Sequence, residues 1–264
     1  MTVRGVDISI IQGNVDFKAL AASGVEFVVI RCGVGNGGID SYYDKNVAGA
    51  RAAGLKVMAY HFIYPLPPLE GQPLRDPLKQ AAYHFNAVRG EMAAIDCEWP
   101  APQDFAKWNC TPVQLNAWML AYLAEYARLD GGRKPLIYTY PFWSSAVKFD
   151  EQFAQYPLWI ASYVAMPVIP HPWTDWVLWQ NTGGGGKLPG GAPVDTDVAK
   201  DLSLWDNVPA PVATDPLIVV APPAPVAVAA PVVVPPPAAP VVVPAPPAGK
   251  SIWITILDWF KNDY

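Results

Sequence analysis

The chain has 264 residues, 52% of them hydrophobic and 16% charged, with a net charge of −5 at pH 7 and a pI near 5.1. That balance supplies no basic stripe for a phosphate backbone, so nucleic acid is excluded as the natural partner. Fourteen of the 30 prolines fall between Val208 and Gly249, which leaves residues 1–207 for one folded domain.

Val3 to Ile10 reads as a strand ended by the turn Gln12-Gly13-Asn14, and it carries Asp7 in an otherwise apolar run. Asp16 is placed to cap a short helix through Leu20. Val25 to Cys32 is a continuous apolar run, the pattern of a strand buried on both faces, interrupted by Arg31. After a glycine-rich loop, Tyr42 to Ala53 reads as a helix closed by Gly54, and Leu55 to Tyr64 as a third strand. Alternation there puts Tyr60 and Phe62 on one face and His61 on the other. Pro65 to Pro77 is loop and Leu78 to Val88 is helix.

Met92 to Trp99, MAAIDCEW, follows as a strand in which Asp96 and Glu98 share a face and Cys97 takes the other. Thr111-Pro112 opens a long helix to Leu129, stopped by Gly131-Gly132. Pro135 to Tyr140 and Pro157 to Tyr163 are strands flanking a short helix, Trp143 to Phe149. Two more strands, Trp176 to Asn181 and Pro193 to Asp197, are separated by a loop, Thr182 to Gly191. Strand then helix five times, followed by three strands, predicts an α/β fold with a parallel sheet, closed as a TIM-like β/α barrel. Asp7, Arg31, Tyr60, Asp96, Glu98 and Tyr140 all fall toward strand C-terminal ends, the rim at which such barrels carry their chemistry.

Two carboxyl groups on one face suit glycoside hydrolysis, in which one donates a proton and the other handles positive charge or the nucleophile. Cys32, Cys97 and Cys110 have no paired spacing and no accompanying His cluster. They read as buried free thiols, with no metal implied.

GVDISIIQG, FVVIRCGVG, VMAYHF, AIDCEW, LIYTY, PLWIASY, WVLWQN and APVDTD, in that order from Val3 to Trp205, resemble the muramidases of glycoside hydrolase family 25, many of them phage endolysins. The resemblance implies a barrel of five β/α units with three closing strands, and a peptidoglycan hydrolase that needs no cofactor or metal. It implies Glu98 as general acid, Asp96 as its modulator, Asp7 across the barrel mouth, and Asp195 as a fourth acid in preference to Asp197, which stands where the family often has Asn. It also implies that Tyr60, Tyr138 or Tyr140 contact the sugar's acetamido group or hold an acid, and that Trp99 and Trp179 offer faces to sugar rings. The rival is a non-catalytic wall-binding or structural virion barrel, which would have no use for four mutually repelling acids.

Residues 208–249 read as a polyproline II spacer. Residues 250–264, KSIWITILDWFKNDY, form an amphipathic segment too short to span a bilayer, suited to a membrane surface, a virion protein or the chain's own barrel. MTVRGVDISI lacks the features of a secretory signal, which suggests a phage lysis or virion-borne enzyme found in the host cytoplasm or the particle and acting on the cell wall.

Overall fold

The computed structural model describes residues 2–206 except 36, 67–74 and 89; the spacer and the amphipathic segment of the sequence analysis lie outside the described residues. The strands are β1 (Val3–Ile8), β2 (Phe27–Val34), β3 (Gly38–Ile39), β4 (Lys56–Phe62), β5 (Met92–Asp96), β6 (Leu136–Thr139), β7 (Leu158–Ala161), β8 (Leu178–Lys187) and β9 (Pro193–Ala199). The helices between them are α1 (Phe17–Ala22), α2 (Tyr43–Ala52), α3 (Pro77–Val88), α4 (Pro112–Leu129) and α5 (Pro141–Val147). β1 pairs with both β2 and β9, so eight strands close into a barrel, with β3 a short antiparallel addition beside β2. Five β/α units are followed by three strands with no intervening α-helix, as expected.

Period-2 alternation sorts the strands' apolar residues into two layers. Phe27, Val29, Met58, Ala94, Leu136, Tyr138, Trp159 and Leu178 fill the barrel interior. Val28, Ile30, Val57, Ile95, Ile137 and Ile160 face outward, against helix residues such as Leu115, Met119 and Tyr122 of α4. Both faces of the strands are therefore covered, which is why their sequences read as unbroken apolar runs. The floor is closed by Trp205, which donates its indole N–H to the Val57 carbonyl at 2.8 Å and packs on Phe27 with ring centroids 5.1 Å apart. Gly5 makes room for that floor, because a Cβ there would lie 2.2 Å from the Phe27 ring.

Local signals hold where they were read. Asp16 accepts the Ala19 N–H at 3.0 Å and caps α1. Thr111 and Gln114 form a reciprocal capping box at the start of α4, with Pro112 in the first turn. Cys32, Cys97 and Cys110 are buried free thiols.

Two expectations are corrected. The sheet is not wholly parallel: β9 runs antiparallel to both neighbours. Only a short turn joins it to β8, and a parallel return would need a crossover of a dozen or more residues. Nor is Thr182 to Gly191 a loop, since β8 continues through the four glycines to Lys187 as one arm of the hairpin. Glycine's lack of a side chain hides this strand from a hydrophobicity pattern.

Candidate active site

Asp7, Arg31, Tyr60, Asp96 and Tyr138 stand toward the C-terminal ends of parallel strands, and Gln180, third residue of the long β8, pairs with Ala161 at the end of β7; all six lie on the faces that alternation turns into the barrel. Because β9 runs the other way, its N-terminal end lies at the same rim. Asp195, third residue of β9, is directly opposite Asp7 in the β1–β9 ladder, with Asp197 one step deeper, opposite Gly5. The antiparallel strand thus brings Asp195 to the mouth, where a parallel one would have carried it to the floor.

Glu98 lies two residues beyond Asp96. The Cys97 N–H donates to the Tyr138 carbonyl at 2.9 Å, extending the β5–β6 ladder past the strand's end, while the Cys97 side chain packs in the outer layer. This extension holds Glu98 on the same side as Asp96. Both are buried, at 9% and 6% exposure. Burial, then the charges of Asp96 and Asp195, push the Glu98 carboxyl well above the usual range. Asp96 is also raised by burial, with Arg31 opposing. Its Oδ1 has no hydrogen-bond partner among the described residues.

Asp7 is held differently. Its Oδ2 accepts the Gln180 side-chain N–H at 2.7 Å, and Gln180 Oε1 accepts the hydroxyls of Tyr138, at 3.0 Å, and Tyr163, at 2.7 Å. With the Gln180 amide in this orientation, Asp7 has a donor and both hydroxyls have an acceptor. Burial, then Asp197 and Asp195, raise the Asp7 carboxyl well above its ordinary value. Asp195 accepts the Gly184 backbone N–H. Burial raises its carboxyl and that hydrogen bond draws it back. Gly183, beside it, leaves space for the Tyr163 ring, which a Cβ would approach to 2.8 Å. The glycine run is thus fitted to the groups around Asp195.

The remaining predicted residues take distinct places. Tyr60 is half-buried, edge-on to Trp159 with centroids 6.0 Å apart. Tyr140 is half-buried, and its phenol is pushed to about 12 by burial and by Glu98 and Asp96. Tyr138 donates its hydroxyl inside the barrel to Gln180, whose N–H donates to Asp7. Trp99 is half-buried next to Glu98 and wedged against Tyr64 and Trp108, at centroid distances of 4.9 and 5.1 Å. Trp179 corrects its expectation: alternation from Gln180 turns it into the outer layer, where it donates to the Ser162 carbonyl at 2.7 Å.

Sequence reasoning missed Gln180, Tyr163 and the partners of Arg31 and Asp197. Arg31 Nε donates to Asp40 at 3.0 Å, and Asp40 also accepts the backbone N–H groups of Ile10 and Tyr42, tying together the exits of β1 and β2. A lone glutamine in WVLWQN, on the face opposite Trp179, was the available signal for Gln180. Nothing local marks tyrosines on β6 and just beyond β7 as its partners.

Residues 6–190 match the family described as Glycosyl hydrolases family 25. The autolytic lysozyme of Clostridium acetobutylicum is 29% identical over 195 residues, covering 73% of this chain and 55% of that protein, so the chain spans little more than half of that relative. A lysozyme structure from Streptomyces coelicolor superposes with a TM-score of 0.68 at 22% identity, covering 78% of this chain and 98% of the other. A family GH25 lysozyme structure from Aspergillus fumigatus gives 0.66 at 27% identity, covering 77% and 96%.

Proposed function

The chain belongs to glycosyl hydrolases family 25, and we propose that it is an N-acetylmuramidase that hydrolyses the β-1,4 bond between N-acetylmuramic acid and N-acetylglucosamine in bacterial peptidoglycan. One observation carries the reading. Glu98 is a buried carboxyl group with Asp96 on the same side of the strand, and burial with the charges of Asp96 and Asp195 makes it hold its proton more tightly than a free glutamate does. A neutral carboxyl at a barrel mouth donates its proton to the glycosidic oxygen as the bond breaks. Positive charge then develops on the sugar, facing the carboxylates of Asp96 and Asp195. Asp96 Oδ1, without a hydrogen-bond partner among the described residues, is available to an acetamido N–H of the substrate. Tyr60, Tyr140 and Trp99, half-buried around the acids, are proposed to hold the sugar rings.

The test uses purified peptidoglycan. The wild type should release reducing muramic acid ends, and Glu98→Gln should be slower by about 10²- to 10⁴-fold, the usual weight of a general acid. Equal release from both would remove Glu98 from this role, and binding without release by either would favour a wall-binding barrel.

The setting we propose is a phage lysis or virion-borne enzyme. Its support is the order of segments in the sequence: an amphipathic stretch, residues 250–264, follows a proline-rich spacer, an arrangement suited to tethering a hydrolase to a membrane surface or a particle. Deleting residues 208–264 should abolish binding to vesicles or particles and leave cleavage of soluble glycan intact; unchanged binding would remove the tether.

A further inference from the structure

Gln180 is a buried amide in an apolar setting. Alternation along β8 puts it on the face of Leu178, which packs with Phe27, Val29 and Met58 inside the barrel. It is 2% exposed, and an amide so placed is costly unless its donors and acceptors find partners. A methionine would fill much the same space without that cost. The partners come from three other parts of the barrel. Nε2 donates to Asp7 Oδ2 of β1 at 2.7 Å, and Oε1 accepts the hydroxyls of Tyr138 on β6, at 3.0 Å, and of Tyr163, just past β7, at 2.7 Å. The Gln180 backbone carbonyl also accepts the Ser162 N–H at 3.0 Å, which ties β8 to the residue before Tyr163.

Asp7 is where that hold matters. It lies directly opposite Asp195 in the β1–β9 ladder, and Asp197 is one step deeper. Acids so close need separate donors to keep their carboxyls in place, because like charges opposite one another repel. The structure provides one for each: the Gly184 N–H for Asp195, the Trp159 indole N–H for Asp197 at 2.9 Å, and Gln180 for Asp7. The last of these is linked to the rim, since Gln180 Oε1 also accepts from Tyr163, which is 48% exposed. Gln180 itself is too deeply buried to touch a sugar in the mouth, so its effect on turnover passes through its neighbours.

We propose that Gln180 is a positioning residue of the active site: its side-chain N–H fixes the Asp7 carboxyl at the barrel mouth, and its Oε1 makes that hold depend on Tyr138 inside the barrel and on Tyr163 at the rim. Turned over, the amide would leave Asp7 Oδ2 without this donor. A hydroxyl removed from either tyrosine loosens the amide, and the loosened amide loosens Asp7. The hold on Asp7 is a matter of structure alone; its effect on turnover rests on the muramidase reading.

Crystal structures and steady-state kinetics of the full chain test this together, with soluble peptidoglycan fragments as substrate. Gln180→Met keeps the volume and removes the donor. Its kcat should fall by about tenfold or more, the weight of a hydrogen bond to a charged group, while KM stays within about twofold because Gln180 touches no substrate. In the variant's crystal structure the Asp7 carboxyl should have turned from its wild-type orientation, with Asp96 and Glu98 in place. An unchanged kcat, or an Asp7 that keeps its orientation, overturns the proposal. So does a loss of kcat in which Asp96 and Glu98 are displaced as well, since Gln180 would then be a packing residue. Should Gln180→Met fail to fold, Tyr138→Phe combined with Tyr163→Phe removes both hydroxyls and keeps Gln180; it should turn Asp7 and lower kcat in the same way, and a wild-type kcat there overturns the proposal. If the wild type cleaves nothing, the muramidase reading fails, while the orientation of Asp7 with and without its donor still decides the role of Gln180.

Discussion

Glu98 shows at the scale of one residue how activity and stability oppose each other. Its carboxyl is raised by burial and by Asp96 and Asp195, so the folded chain binds that proton more tightly than the unfolded chain. Such a group supports folding while it is protonated and opposes folding as pH rises beyond its unfolded value and through its folded one. Glu98→Gln should therefore gain stability above neutral pH while losing activity. A difference of one pKa unit is about 1.4 kcal/mol, or about 2–4 °C in Tm for a domain of this size. Thermal denaturation at pH 8 and at pH 4 checks this, with the gain expected at pH 8 alone; a variant less stable than the wild type at pH 8 would mean Glu98 is held by contacts that outweigh its desolvation. Asp96 and Glu98 were legible in the sequence because both lie at one strand's end, where alternation alone puts them on one face. Gln180 was not, since its importance comes from Asp7, 173 residues away.

The β8–β9 hairpin makes the same point at the scale of an element. A glycine run carries no hydrophobic pattern, so it reads as a loop, whereas here it is strand because each missing side chain is a space something else occupies. Gly183 admits the Tyr163 ring, and at Gly186 a Cβ would lie 2.4 Å from the Thr196 side chain. Gly183→Ala should push the Tyr163 ring aside. That ring is at the end of a side chain 48% exposed, so the displacement costs little stability. What is lost is the hydroxyl's bond to Gln180, and with it part of the hold on Asp7. At about 1 kcal/mol for one hydrogen bond, kcat should fall by about fivefold with Tm nearly unchanged. Steady-state kinetics beside a melting curve tests this; a large drop in Tm with unaltered kcat would make the glycine a folding requirement only. The α4 cap is the contrasting case, read correctly because Thr111, Pro112 and Gln114 interact within one turn.

Across the whole molecule, the layer between barrel and helices contains a second buried polar group of residues, unconnected with the acids. His61 and His84 stack with ring centroids 4.8 Å apart; His61 Nε2 bonds the Gly35 carbonyl at 2.6 Å and His84 Nδ1 bonds the Tyr122 hydroxyl at 2.7 Å. Burial lowers both, His61 to about 3, so the folded chain keeps them neutral. Their contribution to stability is complete above the unfolded value of about 6.5 and is lost as pH falls from there toward 3. Acid unfolding should accordingly begin below pH 6, and His84→Gln should move its midpoint to lower pH; circular dichroism against pH measures it, and an unmoved midpoint would assign acid unfolding to other groups. The sequence by itself determined the eight strands, the five β/α units, the outward turn of His61 and the paired faces of Asp96 and Glu98. All of these follow from periodicity and capping, which act between near neighbours. Only the tertiary structure decided that β9 reverses, that Asp195 therefore meets Asp7 at the mouth, and that Gln180 links Asp7 to Tyr138 and Tyr163. Those relations join residues at opposite ends of the chain, and closure of the barrel, which no local pattern encodes, is what brings them together.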